Sequence, residues 1–494
     1  MRSKLIKGGG QMEEKYGVYV RRNKKKIGFF LAIFLIVLDI FIIQILMQSI
    51  SPQAPSKGIL YVAWNGKENF SCDGKDDQVE INQALAYIAE NPGLTTVYLR
   101  GPYTYTISDT IFIGNNTTLA GDPTAKIKLI DSADWPVFKP LITQMDKTGI
   151  HGVVVKGFEI DGNHDNNLDK KKGYGYYNMI HFLNCTDIQI HDMYMHDGHG
   201  EGLKTDNGNY IRFYNNTISK TGHNGVFVEN SQNIEAWNNK VTVRTDSGFR
   251  SRNSNHVKIH DNAIESFYHW SAGGSGILVE KTIATVNDVE IYDNTIQDTY
   301  GPGIWLIGCF ELYPEEEARN VHIYHNVFQN TGTNPNIDWV GGIVTSGFYD
   351  TLIENNTFDE VHHAAIVQMY PEGGTHIYPT YKNSDNIDLS PKGTGYTTIV
   401  RNNIIANTRQ RTKDPEGTGY GVINYLPETH TVVLEHNCLY NNYAGDYLNC
   451  TSTTDVYLDP ALLDRNIGAG YSSEEHPRDI NQTTIDSVFE KCFS

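Results

Sequence analysis

From residue 180 onward the chain alternates in very short runs, apolar-polar-apolar, each closed by a polar turn. Ile188-Gln-Ile190, Ile211-Arg-Phe213 and Ile234-Glu-Ala236 are three such runs, each 23 residues from the next and aligned without a gap. Nine residues after Met193, Asn216 and Asn239 stand Gly202, Gly225 and Gly248, each followed by an apolar residue (Leu203, Val226, Phe249). Five residues beyond each glycine stands an asparagine: Asn207, Asn230 and Asn253. Period two within a run puts Ile, Val and Phe on one face of a strand. A fixed period across runs returns every strand to the same register, the mark of a parallel coil. Amides recurring once per coil should stack about 4.8 Å apart and hydrogen-bond along the pile.

The pattern continues with insertions. Val257-Lys-Ile259, Val289-Glu-Ile291 and Val321-His-Ile323 open three further coils, and later ones close at Asn356-Thr-Phe358, Asn403-Ile-Ile405 and Asn437-Cys-Leu439. The anchor residues Asn216, Asn239, Asn262, Asn294, Asn326, Asn356, Asn403 and Asn437 are 23, 23, 32, 32, 30, 47 and 34 apart. Extra residues within a repeat belong in turns on one face, often the binding face. An antiparallel sandwich would instead need a hairpin every 8–12 residues or so and no fixed register. Upstream, Asp76-Asp77 followed by Val79, Ile81, Ala84, Leu85 and Ile88 predicts an N-capped amphipathic helix ending at Asn91-Pro92-Gly93. It would cover the open edge of the first coil.

The first 26 residues differ, with nine Lys/Arg against Glu13 and Glu14. Ile27 to Met47 is then apolar except for Gly28, Asp39 and Gln44, long enough for a membrane span of about 30 Å. The expected organisation is a basic cytoplasmic segment 1–26, a transmembrane anchor 27–47, a linker 48–57 and a β-helix domain 58–494, with that domain outside the cell. A cleaved signal peptide competes: Ser49-Ile50-Ser51 is small enough to be cut, but the run exceeds the roughly 7–15 residues of a signal core.

The whole chain carries −18 at neutral pH, and the basic head makes the remainder more acidic still. Nucleic acid is excluded as a partner, since phosphate binding needs a basic footprint. No cofactor is called for, although such a surface would collect cations, Ca²⁺ among them. The six cysteines (Cys72, Cys185, Cys309, Cys438, Cys450, Cys492) show no CxxC metal pattern, and Cys438–Cys450 is the pair to expect as a disulfide. Eight asparagines start N-x-S/T acceptors for glycosylation: Asn69, Asn115, Asn116, Asn184, Asn215, Asn355, Asn449 and Asn481.

Residues 69–106, with Gly74-Lys75-Asp76-Asp77 and Gly101-Pro-Tyr-Thr-Tyr-Thr106, resemble the entry segment of pectate-lyase-type β-helix proteins. Three later segments are similar to the disaggregatase family of methanogenic archaea: Thr331 to Asp350, Gly419 to Pro427 and Cys450 to Pro460. The first resemblance implies an all-β, single-stranded right-handed parallel β-helix, here of about ten coils with an N-terminal capping helix and one transmembrane helix before it. The second implies depolymerisation of a chondroitin-like matrix polysaccharide, by glycoside hydrolysis or uronate elimination. Members that disperse cells carry further repeat domains after the β-helix, so a dispersing role in trans is not expected of a sequence that stops at Ser494.

The register says which outward side chains share a surface. Two past each glycine come Lys204, Phe227 and Arg250; four past come Asp206, Glu229 and Arg252. Asp206 and Glu229 should be adjacent carboxylates, and two of these about 5 Å apart suit a retaining glycosidase, their repulsion raising one pKa. Arg250, with Lys204 and Arg252, could hold a uronate carboxylate. His199, His223, Asp246 and His269 cluster on the preceding turn, where a neutral imidazole could serve as base. His196-x-x-His199 alone falls short of a metal site, and no metal ligands are assigned. Trp305 and Trp339 are the candidate sugar platforms. The partner expected is an extracellular acidic polysaccharide. Rival readings are a non-catalytic surface adhesin and a uronate epimerase of envelope assembly.

Overall fold

Each 23-residue unit is three short strands because its polar turn residues fall where the chain must change direction. One coil runs Leu203–Asp206, Asn209–Tyr214, Thr217–Thr221, and the next Val226–Glu229, Gln232–Trp237, Lys240–Val243. Equivalent strands pair in parallel, Leu203 with Val226, Ile211 with Ile234 and Ile218 with Val241. The computed structural model describes residues 58–460 apart from 65, 67, 137, 168–176, 267–273, 309–316, 336–339, 370–394 and 412–417. Among the described residues the strands form three parallel sheets of 14, 13 and 12 strands, termed here I (holding Asn209–Tyr214), II (Thr217–Thr221) and III (Leu203–Asp206). The chain is a right-handed parallel β-helix. Sheet III counts twelve coils against about ten expected, because Ile111–Ile113 and Ile142–Gln144 already keep its register.

The turns explain the asparagines and glycines. Asn207, Asn230 and Asn253 take left-handed backbone (φ 53°, 50° and 50°), which Asn tolerates better than most residues, and they turn the chain from sheet III to sheet I. They are piled along the axis as the spacing predicts, their backbone N–H groups bonding the carbonyls of Glu229, Arg252 and Glu280, while the amides of Asn207 and Asn253 donate to Asn184 and Thr282. The amide ladder lies elsewhere. Asn216 donates from Nδ2 to Asn239 Oδ1 at 3.0 Å, and the relay repeats through Asn262, Asn294, Asn326, Asn356, Asn403 and Asn437, all buried. Asp455 closes it by accepting from the Asn437 backbone N–H at 2.8 Å. At Gly202, Gly225 and Gly248 a Cβ would sit 2.8, 2.6 and 2.8 Å from the next coil's glycine carbonyl, so no larger residue fits that column.

The predicted helix is present at Gln78–Glu90 (α1), burying Ile81, Ala84, Leu85 and Ile88 in the core that continues down the coil. Asp77 does not cap it by a side-chain bond. Its carboxylate instead accepts from Gly74 N (2.8 Å) and Thr106 N (2.7 Å), pinning the helix to the first coils. Cys438 and Cys450 are not joined. Each thiol turns to a carbonyl, Leu458 O at 3.4 Å and Leu448 O at 3.5 Å.

The segment 27–47 lies outside the described residues. Among the described residues no helix is long and apolar enough to cross a membrane; α1, of 13 residues, falls short of the ~20 that a span requires. The expected single-pass location in a cell membrane is corrected accordingly.

Near the C-terminal coils the interior encloses His430, 2% exposed and stacked on Tyr396 at 4.5 Å. Its Nε2 accepts from Gly347 N at 3.3 Å, so the ring is neutral, and burial lowers its pKa to about 4. A folded pKa below the unfolded value of about 6.5 contributes stability above that value, lost as pH falls through 4. Urea unfolding of the protein should show this contribution, on the order of 3 kcal/mol, eroding between pH 6.5 and 4, whereas His430→Gln should erode less.

Candidate functional site on sheet III

The outward columns of sheet III bring together charges that lie up to a hundred residues apart. Asp206 pairs in register with Glu229, and Glu229 with Arg252, which pairs with Glu280. The column two residues earlier runs His181, Lys204, Phe227, Arg250. From Lys204 to Glu201 these side chains and their neighbours form one chain of ion pairs alternating in sign, with His181 hydrogen-bonded at its start. His181 Nε2 meets Asp206 at 2.9 Å, and Lys204 Nζ lies 3.6 Å from Asp206 and 3.5 Å from Glu229. Arg252 bridges Glu229 (3.2 Å) and Glu280 (2.9 Å). Arg250 bridges Glu280 (2.8 Å) and Asp246 (3.1 Å). His223 ends the chain between Asp246 (3.0 Å) and Glu201 (2.6 Å). Phe227 lies beneath three of the cations, with Lys204 and Arg250 each 4.9 Å and Arg252 5.3 Å from its ring centre.

The electrostatics differ from what adjacent carboxylates alone imply. Burial disfavours charge on Asp206, yet the bonds to His181 and Glu229 and the Lys204 ammonium hold its pKa below the ordinary carboxylate value. The expected upward shift is absent there because a cation sits between the two acids. Glu201, Asp246 and Glu280 are likewise held down, burial being outweighed by His223, by His223 with Arg250, and by both arginines respectively. His223 moves the other way. Burial opposes its charge, but Glu201 and Asp246 on either side raise it to about 10. It is an imidazolium at neutral pH and no base. A titration of its ring protons by NMR should show no inflection between pH 5 and 8.5; an inflection near 6.5 would mean that the carboxylate clamp does not exist.

Other expected site residues are placed apart. His199 bonds Asn167 O through Nε2 at 2.7 Å and stacks its ring against His164 and Tyr177 rather than on the carboxylates of the ion-pair chain. Trp305 occupies the outward slot on sheet III but is 4% exposed, packed with Leu278, Ile307, Val344 and Val367, so it presents no open face to a sugar. The column thus changes from charged to apolar beyond Arg250. His269 and Trp339 lie outside the described residues. His181 and Glu280 were missed. Glu280 stands four past Gly276, the spacing of Asp206 from Gly202, so the signal was there.

Among the described residues, Cys72–Asp77–Glu80 and Asp161–His196–Asp197 bring three ligand-type atoms within 4.8 Å of one another. Neither offers the six to eight oxygens that Ca²⁺ takes.

The fold is that of a right-handed parallel β-helix protein, and sheet III carries an ionic outer face. Residues 286–485 match the family described as disaggregatase related, and residues 141–338 the family described as periplasmic copper-binding protein (NosD). Copper favours several imidazole or sulfur donors. The His-containing trio does not fit it, because His196 already bonds Glu159 (2.8 Å) and Asp197 (2.7 Å), and Asp197 is held by Arg244 (2.8 Å). No curated protein matches the chain. Among solved structures it is similar to the A-module of the Azotobacter vinelandii mannuronan C-5 epimerase AlgE4, at 15% identity and TM-score 0.45, over 79% of this chain and 98% of that one. It is similar also to PfbA, a surface adhesin of Streptococcus pneumoniae, at 13% identity and TM-score 0.41, over 77% and 89%. Likenesses this low carry nothing about chemistry.

Proposed function

We propose that this β-helix is a polysaccharide depolymerase working outside the cytoplasm on an acidic, chondroitin-like matrix polymer, with sheet III as its working face. The observation that carries the reading is Asp206 and Glu229 on consecutive coils, each side chain 19% exposed and both reached by Lys204. Asp206, held ionised, suits the nucleophile or base, and Glu229, beside it on the next coil, supplies the second carboxyl that glycoside cleavage uses. Arg250 and Arg252 can exchange a Glu280 oxygen for a uronate carboxylate, which a guanidinium binds bidentately. The disaggregatase-related match fits a protein that acts on polysaccharide, and the periplasmic description of the second family fits a place outside the cytoplasm.

The closed pairing of Lys204, Arg250 and Arg252 favours one second reading, a glycan-binding protein without turnover. Incubation of the full chain with unsulfated chondroitin separates them. Hydrolysis yields new reducing ends, elimination adds the ultraviolet absorbance of an unsaturated uronide, and neither product leaves binding alone.

A further inference from the structure

Across the left-handed turn from the charged face, a groove of about 410 Å³ opens at the start of the sheet I strands. Its floor is a column on four consecutive coils. Gln232 and Asn255 are register partners, and Asn287 and Arg319 occupy the same slot two residues before Val289 and Val321. Three steps of about 4.8 Å make this column about 14 Å long. Thr285, on the insertion that lengthens this coil, and Glu317 wall it.

The lining selects the chemistry of the occupant. It offers amides, a hydroxyl and ion pairs, so an apolar ligand gains nothing there. An anion finds the one guanidinium taken, since Arg319 pairs with Glu317, while His256 Nδ1 faces the Asp288 carboxylate at 3.2 Å. Side-chain amides present donor and acceptor together, the complement of neighbouring hydroxyls on a sugar ring. Two polar atoms here, Asn255 Oδ1 and Arg319 Nε, are shielded from solvent yet meet no hydrogen-bond partner among the described residues. A half-turn of the Asn255 amide exchanges its oxygen and nitrogen without changing its shape, which lets either face the groove. Tyr349, register partner of Arg319 on the next coil, closes the column with an aromatic ring.

We infer that this groove is a second saccharide site, for a neutral, hydroxyl-rich sugar unit of an extended glycan, separate from the ionic face and independent of whether that face turns over substrate. The test uses the full chain with two neutral probes, the methyl glycoside of N-acetylgalactosamine and the trisaccharide of N-acetylglucosamine, followed by saturation-transfer NMR and calorimetric titration. At least one probe should bind, with Kd rising about fivefold in Asn255→Ala and in Gln232→Ala, and unchanged in Asp206→Asn. Two substitutions are used so that one which fails to fold leaves the other as the test. Absence of binding by both probes, binding unaffected in the folded groove variant, or binding lost in Asp206→Asn overturns the assignment.

Discussion

Asp206→Asn should lose turnover on the order of 10³-fold while unfolding at nearly the wild-type temperature. The substitution keeps the shape and removes the ionised oxygen. It gives up ion pairs to His181 and Lys204 on a partly exposed face, where such pairs contribute little. Glu229→Gln should behave alike, since it leaves Arg252 still held by Glu280. Arg250→Ala is different. Its loss takes one of two cationic partners from each of Asp246 and Glu280, carboxylates with little exposure, leaving them to His223 and Arg252 alone, so stability and turnover should fall together. Initial rates and thermal midpoints on the four proteins check this. Equal loss of midpoint in Asp206→Asn and Arg250→Ala would show that the face is structural.

The second large effect is on the fold. Asn326→Ala should cost about 3–5 kcal/mol, read as the urea midpoint. Asn326 Oδ1 accepts both the backbone N–H and the Nδ2 of Asn294, while its own Nδ2 bonds Ile291 O and Asn356 Oδ1. Alanine leaves the buried Asn294 backbone N–H without its partner and takes one bond each from Asn294 Nδ2, Ile291 O and Asn356 Oδ1, where water cannot replace it. Asn207→Gly should change the midpoint by about 0.5 kcal/mol or less, because glycine adopts the left-handed turn freely and the bond lost, to Asn184, is exposed. Similar costs at the two sites would mean that the ladder does not hold the coils together.

The coil itself was legible because Ile, Val and Phe recur at one spacing through three gapless repeats. The same spacing placed Asp206 beside Glu229 and Arg250 near Arg252. It did not say which asparagine column is buried, since both columns recur once per coil; only the direction of each side chain relative to the core decides that. Pairing was illegible for a related reason. Glu201, His223 and Asp246 are 22 and 23 residues apart, so the clamp that makes His223 a cation shows only when three coils are superposed. Trp305 looked exposed because its slot faces outward, but the neighbouring coils offer Leu278 and Val344 there, and apolar side chains close over one another.

The sharpest check is a crystal structure of the Asp206→Asn protein with an unsulfated chondroitin hexasaccharide. The sugar chain is expected to lie along sheet III, with a glycosidic oxygen within hydrogen-bond reach of Glu229 and a uronate at Arg250 or Arg252. A hexasaccharide bound only on another face, with the ion-pair chain intact beneath bulk solvent, contradicts it.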